Sequence, residues 1–266
     1  MRANRVREIW QAGGTVINGW CGIPSGFSAE IMAHMGWDSL VVDTQHGIVD
    51  YQVMVSMLQG ISTTNVTPMV RVPWNDPAHI MKALDAGAYG VICPMINSRA
   101  ECAAFVGACR YAPVGYRSSG PIRAALYGGP DYHEKANDTV IAMAMIETRE
   151  ALDNLDDILS TPGLDAIYVG PSDLSLSLGH PPGLDKADTF MISALEKIVA
   201  GCRQHRVKAG LHTGGAAYAK RMIALGFDFV TLMGDARLLT MAGQQIVREM
   251  REAKTASETR SSSATY

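Results

Sequence analysis

Short apolar runs alternate with stretches of helical spacing along almost the whole chain. The runs fall at 16–23, 40–43, 68–72, 90–94, 140–147, 166–170, 207–212 and 229–234. They are rich in Val, Ile, Leu and Met and nearly continuous rather than alternating, as strands buried on both faces are. Helical spacing predicts helices over 29–36, 51–60, 77–87, 99–110, 149–159, 189–205, 216–226 and 236–252. Gly36, Gly87 and Gly226 fall just ahead of a new apolar run, where a helix-terminating glycine belongs.

Eight such units within about 250 residues match a (β/α)8 TIM barrel. The alternative is an open doubly wound sheet, but no G-x-G-x-x-G follows the first run. Residues 2–12 can form an extra helix under the barrel floor. One domain over 1–253 is expected, with a polar, disordered tail at 254–266. The longest connection, 111–138, contains glycine and arginine and is read as functional or interfacial.

Composition narrows the function. The chain has 266 residues, 47% hydrophobic and 18% charged, with a formal net charge of −3. No basic footprint suits nucleic acid or an anionic membrane, so an anionic substrate must be met by a few local charges or a metal ion. The basic start is not followed by an apolar signal core, and no apolar stretch reaches membrane-spanning length. Five cysteines form no C-x-x-C pair. A reduced cytoplasmic setting fits best.

In such a barrel the active site lies at the carboxyl ends of the strands. Those ends carry Asp43-Thr44-Gln45-His46-Gly47, Arg71, Glu147-Thr148-Arg149, Gly170-Pro171-Ser172-Asp173, His212-Thr213 and Gly234-Asp235. Glu147 and Asp173 end neighbouring strands, so two carboxylates can share a hard dication such as Mg²⁺ or Mn²⁺. The competing reading is that each caps the helix that follows. The Gly170–Asp173 turn opens a helix, and its N–H groups could hold a carboxylate. Its plainer use is a tight strand-to-helix turn.

His46 follows Asp43 by three residues, and Asp85 ends the third predicted helix. A histidine held by a carboxylate can act as a general base near neutral pH. Arg71 could stabilise an enolate, or simply close the rim as a salt bridge. A Schiff-base aldolase would need a lysine in or atop the barrel. Of the seven lysines only Lys208 falls in a strand run, at its opening end toward the floor. A metal route is therefore favoured.

These residues resemble the HpcH/HpaI aldolase/citrate lyase family of the phosphoenolpyruvate/pyruvate-binding barrel superfamily. The blocks that carry the likeness are Val42-Asp43-Thr44-Gln45-His46-Gly47, Val70-Arg71-Val72-Pro73-Trp74-Asn75-Asp76-Pro77, Ile146-Glu147-Thr148-Arg149 and Val169-Gly170-Pro171-Ser172-Asp173-Leu174-Ser175. The resemblance implies metal ligands at Glu147 and Asp173, with Mg²⁺ or Mn²⁺ first and Co²⁺ or Zn²⁺ as alternatives. It implies a catalytic His46 supported by Asp43 and Asp85, and an Arg71 that polarises the keto oxygen. Backbone groups at Ser172 and Asp173 would hold the pyruvate carboxylate. Arg117 and Arg123 occupy the loop from which an arginine approaches the aldehyde in some relatives. His212 stands where the resemblance would lead one to expect an apolar residue, and it could contact the aldehyde part. Two departures stand out: Gln45 where many relatives carry Glu, and Met145 where several carry Gln.

The implied activity is class II aldol cleavage of a 4-hydroxy-2-oxo acid to pyruvate, or hydroxypyruvate, and an aldehyde. The implied assembly is a homo-hexamer, a trimer of dimers that exchange a C-terminal helix. The rival readings are a CoA-thioester carbon–carbon lyase of the malyl- or citramalyl-CoA type and a non-catalytic oxo-acid-binding barrel.

Overall fold

The computed structural model describes residues 1–262, with side chains described to Glu252. A short helix α1 (Arg5–Gln11) precedes eight strands: β1 (Val16–Cys21), β2 (Ser39–Asp43), β3 (Thr67–Arg71), β4 (Gly90–Cys93), β5 (Ile141–Ile146), β6 (Ala166–Val169), β7 (Lys208–His212) and β8 (Phe229–Gly234). Each pairs in parallel with the next, and β8 returns to β1, closing the barrel. All eight strands lie within two residues of the runs predicted from hydrophobicity. The open-sheet alternative is excluded.

The outer layer holds α2 (Gly26–Ala33), α3 (Tyr51–Ile61), α4 (Pro77–Asp85), α5 (Arg99–Cys109), α6 (Ile122–Gly128), α7 (Tyr132–Thr139), α8 (Arg149–Asp153), α9 (Leu155–Leu159), α10 (Pro171–Ser177), α11 (Thr189–His205), α12 (Ala216–Leu225) and α13 (Asp235–Ser262). Helix α13 continues into the stretch expected to be a disordered tail, and residues 263–266 lie outside the described residues. The predicted 149–159 helix is two helices meeting at Asn154. The connection at 111–138 carries α6 and α7.

Two apolar layers hold the fold. The larger lies between sheet and helices and includes Leu40, Val70, Phe105, Ile146 and Leu195. The smaller fills the barrel and includes Val16, Trp20, Val41, Met69, Ile92, Met143, Met145, Tyr168 and Phe229. Helix α1 plugs the floor as expected. Val6 and Trp10 join the interior cluster, and Trp10 Nε1 donates to the Asp228 carbonyl at 3.0 Å. Asn4 starts that helix by accepting from Val6 N, while its Nδ2 donates to the Tyr89 and Thr139 carbonyls.

All five cysteines are free and buried. Among the described residues no helix is long and apolar enough to cross a membrane.

Candidate active site

Strand pleat decides which side chains face the barrel interior. On β2 and β3 the inward positions run Ser39, Val41, Asp43 and Thr67, Met69, Arg71, and the ladder sets Asp43 directly opposite Arg71. The pairing is bidentate: Arg71 Nε donates to Asp43 Oδ1 at 2.9 Å and Nη2 to Oδ2 at 2.6 Å. Trp20, inward at the top of β1, donates its Nε1–H to Asp43 Oδ2 at 3.1 Å. The guanidinium also lies 4.8 Å from the Trp20 ring centroid. Although burial opposes ionisation, the bonds from Arg71 and Trp20 hold the Asp43 carboxyl below its usual range.

This arrangement corrects one expectation. Asp43 meets His46 only through the backbone: its Oδ1 accepts from Gln45 N at 3.1 Å and His46 N at 3.2 Å, shaping the turn after β2. The carboxylate orients Arg71, not the imidazole. The His46 ring is exposed and makes no hydrogen bond among the described residues. Gln45 keeps a buried Oε1 without a partner there.

Asp85 is a second correction. Helix α4 runs from the mouth to the floor, and Asp85 is its last residue. There it accepts from Arg117 Nη2 at 2.7 Å. It cannot support His46 of its own chain. Arg123 is also away from the mouth, donating to the carbonyls of Ala86 and Leu58 at the ends of α4 and α3. Arg117 is buried between Asp85 and the Tyr132 hydroxyl.

Glu147 and Asp173 both follow strands at the mouth, and the Asp173 charge acts on Glu147. Glu147 continues the inward series Met143, Met145 just past β5, and Gly170 continues Ala166, Tyr168 just past β6. The register therefore sets Glu147 beside Gly170. A methyl group at Gly170 would lie 2.5 Å from Glu147 Oε2, so glycine is what leaves that oxygen its place. Glu147 Oε1 accepts from Met95 N at 2.8 Å. Met95 has φ 56°, a left-handed backbone that turns its N–H to the carboxylate. Glu147 is 2% exposed, and burial together with the Asp173 charge pushes its carboxyl up to about 7 against the pull of Met95 N–H and Arg71.

The capping alternative fails for Glu147, because α8 is capped by Thr148. Asp173 lies exposed in the first turn of α10, which starts at Gly170 with no side-chain cap. The N–H groups of Ser172 and Asp173 have no intrahelical partner in that first turn. Pro171 fills the first helical position, where a missing N–H costs nothing.

Among the described residues no group of three or more His, Cys, Asp and Glu side chains gathers to hold a metal. A dication nevertheless fits the donor set. Glu147, whose ionisation the Asp173 charge opposes, and Asp173 itself offer hard oxygens, and two protein ligands leave positions for water and substrate. Lys208, at the floor end of β7, is paired with Asp228 at 2.8 Å, so the lysine in a strand run is not at the mouth.

His212 ends β7 with its ring edge-on to Trp20 at 5.0 Å. Burial, with Arg71 adding to it, lowers its pKa to about 4, so the ring is neutral near pH 7. Sequence reasoning missed Trp20, Met95 and Tyr168. The inward parity of the first and sixth runs points to Trp20 and Tyr168. Met95 acts through its backbone and leaves no signal in side-chain type.

Comparison with known proteins finds relatives over most of the chain. The family model for HpcH/HpaI aldolase/citrate lyase matches residues 20–239. A hydroxypyruvate/pyruvate aldolase of Rhizorhabdus wittichii is 41% identical over 248 residues, 93% of this chain and 99% of the relative. A 4-hydroxy-2-oxo-heptane-1,7-dioate aldolase of Klebsiella pneumoniae is 35% identical over 91% of this chain and 92% of its own length. The crystal structure of a family protein from Burkholderia cenocepacia superposes with a TM-score of 0.85 at 30% identity, covering 92% of this chain and 98% of that one. The match spans the strand ends that supply Asp43, Arg71, Glu147 and Asp173, and so the chain belongs to the HpcH/HpaI aldolase/citrate lyase family.

Proposed function

We propose that the protein is a class II aldolase, a carbon–carbon lyase that reversibly cleaves a 4-hydroxy-2-oxo acid to pyruvate, or hydroxypyruvate, and an aldehyde. The observation that carries this reading is a buried Glu147 at the barrel mouth on which the charges of Asp173 and of a clamped Arg71 guanidinium both act. The aldolase names of the relatives point the same way.

Glu147 and Asp173 would hold a dication, Mg²⁺ or Mn²⁺ first and Co²⁺ or Zn²⁺ as alternatives. When bound, it supplies Lewis-acid polarisation of the 2-oxo group. The chain supplies the rest. The N–H groups of Ser172 and Asp173, behind Gly170 and Pro171, receive the oxo-acid carboxylate. Arg71, held by Asp43 and Trp20, places its positive charge where the enolate oxygen develops as the C3–C4 bond breaks. His46 takes the C4 hydroxyl proton, and its exposed ring is free to reach it. Return of a proton to C3 completes pyruvate.

The exposed apolar residues Leu239, Ile246, Val247 and Met250 of α13 support a hexamer in which this helix is exchanged. A part for Asp85 or Arg123 in catalysis requires a neighbouring subunit's mouth. Reduced, buried cysteines suit the cytoplasm.

The test is exchange of the pyruvate C3 protons into D₂O with added Mn²⁺, with and without chelator. Exchange that depends on metal and is lost in Arg71→Ala is expected. No exchange in the metal-loaded protein would leave only an oxo-acid-binding barrel. Tight CoA binding would favour a thioester lyase instead.

A further inference from the structure

Below the mouth, a chain of hydrogen bonds crosses the barrel interior. Ser39 Oγ donates to Asn18 Oδ1 at 2.8 Å, and Asn18 Nδ2 donates to Thr231 Oγ1 at 2.9 Å. The hydroxyls of Thr231 and Tyr168 share a bond of 2.7 Å, and Tyr168 Oη meets His212 Nδ1 at 2.8 Å. Asn18, Ser39, Tyr168 and Thr231 are fully buried, while His212 at the rim is partly exposed. Polar residues in a barrel interior this apolar cost stability unless every proton has a partner.

Counting protons gives the chain a direction. Either hydroxyl of the Thr231–Tyr168 pair can donate. Thr231 Oγ1 already accepts from Asn18. If Tyr168 also donated to it, the Thr231 proton would have no acceptor among the described residues, and an unmet buried donor is destabilising. If Thr231 donates to Tyr168, the Thr231 proton has its acceptor, and the Tyr168 proton points at His212 Nδ1. That nitrogen must then be bare. The ring is neutral, for the reasons given above, so its one proton sits on Nε2. Nε2 makes no hydrogen bond among the described residues.

We propose that Asn18, Thr231 and Tyr168 form a one-way relay of donors that fixes His212 as the Nε2–H tautomer and makes it a hydrogen-bond donor to a substrate oxygen at the barrel mouth. His212 is then a specificity residue rather than a base, and the other three are positioning residues. The oxygen it favours is a hydroxyl on the aldehyde part, so hydroxylated aldehydes are preferred to apolar ones. That substrate half rests on the aldolase reading. The tautomer does not.

The first measurement is ¹⁵N NMR of the histidine rings in the full chain with Mg²⁺, His212 being assigned by its loss in His212→Leu. Expected is one neutral tautomer with bare Nδ1 and protonated Nε2. Thr231→Ser keeps it, whereas Thr231→Val and Tyr168→Phe give a mixture of both tautomers. A protonated Nδ1 in the wild type would mean that the Asn18 amide is turned over and the relay runs backwards, and the proposal falls. It falls equally if Thr231→Val leaves a single tautomer.

The second measurement is aldol addition of pyruvate to glycolaldehyde and to propanal. In His212→Leu and Tyr168→Phe, the kcat/KM preference for glycolaldehyde over propanal should fall about tenfold, with the loss lying in KM for glycolaldehyde. Equal losses on both aldehydes would overturn the donor role. Absence of any aldol turnover would instead strike the aldolase reading, and the NMR result would still decide the relay.

Discussion

Asp43 and Arg71 are opposite partners in the β2–β3 ladder, and both oxygens of the carboxylate accept from the one guanidinium. With Trp20 on the same carboxylate, the arginine is held before any substrate arrives. Arg71→Lys keeps the charge but loses the two-point clamp. It should lower kcat by about 10²-fold, with Arg71→Ala at least as severe. Asp43→Asn should lower kcat as well, while leaving pyruvate affinity closer to wild type. Steady-state kinetics on the three variants checks this. A fully active Arg71→Lys would mean that the clamp is dispensable.

Gly170 gives Glu147 its room. In Gly170→Ala the new methyl group meets Glu147 Oε2 at 2.5 Å unless something shifts. The backbone at 170, with φ −93°, accepts alanine without strain, so the effect must come from the collision. Overpacking of this kind costs about 1–3 kcal/mol. The carboxylate should be displaced, weakening Mn²⁺ binding measured by calorimetry more than it lowers Tm. Unchanged Mn²⁺ affinity would remove Glu147 from the ligand pair.

Acid stability separates two groups at the mouth. His212 has its pKa lowered from 6.5 to about 4, so between those values the unfolded chain binds more protons and stability falls as pH falls. Glu147 has its pKa raised from 4.5 to about 7, so over that range the folded chain binds more protons and stability falls as pH rises. In chelator-treated wild type the two largely offset. His212→Gln should therefore lose stability on going from pH 5 to 7, and Glu147→Gln should gain it. Asp43, lowered below 3.8, adds stability that is lost only under more acidic conditions. Urea titrations at pH 5 and 7 provide the check.

The floor plug is a stability element remote from the chemistry. Trp10→Ala removes a ring that packs 6.4 Å from Phe229, centroid to centroid, and an indole bond to the Asp228 carbonyl. A loss of about 3–5 kcal/mol is expected from denaturant unfolding, with kcat of the folded fraction near wild type. A collapse of kcat at unchanged stability would instead connect the floor to the mouth.

Hydrophobic patterning by itself determined the barrel. Strands buried on both faces must be apolar almost throughout, and that signal survives without any tertiary information, so every strand lies where the runs put it. It also determined which polar residues stand at strand ends, since a charge closing an apolar run has few other places to be. The resemblance carried by the blocks around Asp43, Arg71, Glu147 and Asp173 named the family.

What those residues touch was decided by register and by the direction of each helix. A three-residue spacing suggested that Asp43 serves the His46 ring, but the β2–β3 ladder gives the carboxylate to Arg71. Asp85 is close to the mouth residues in sequence, yet α4 carries it the height of the barrel to Arg117. The left-handed turn at Met95 and the line of protons from Asn18 to His212 join residues on different strands or act through the backbone. Neither kind of contact leaves a mark in residue type, because hydrogen bonds form between neighbours in space, and only the closed sheet makes these residues neighbours.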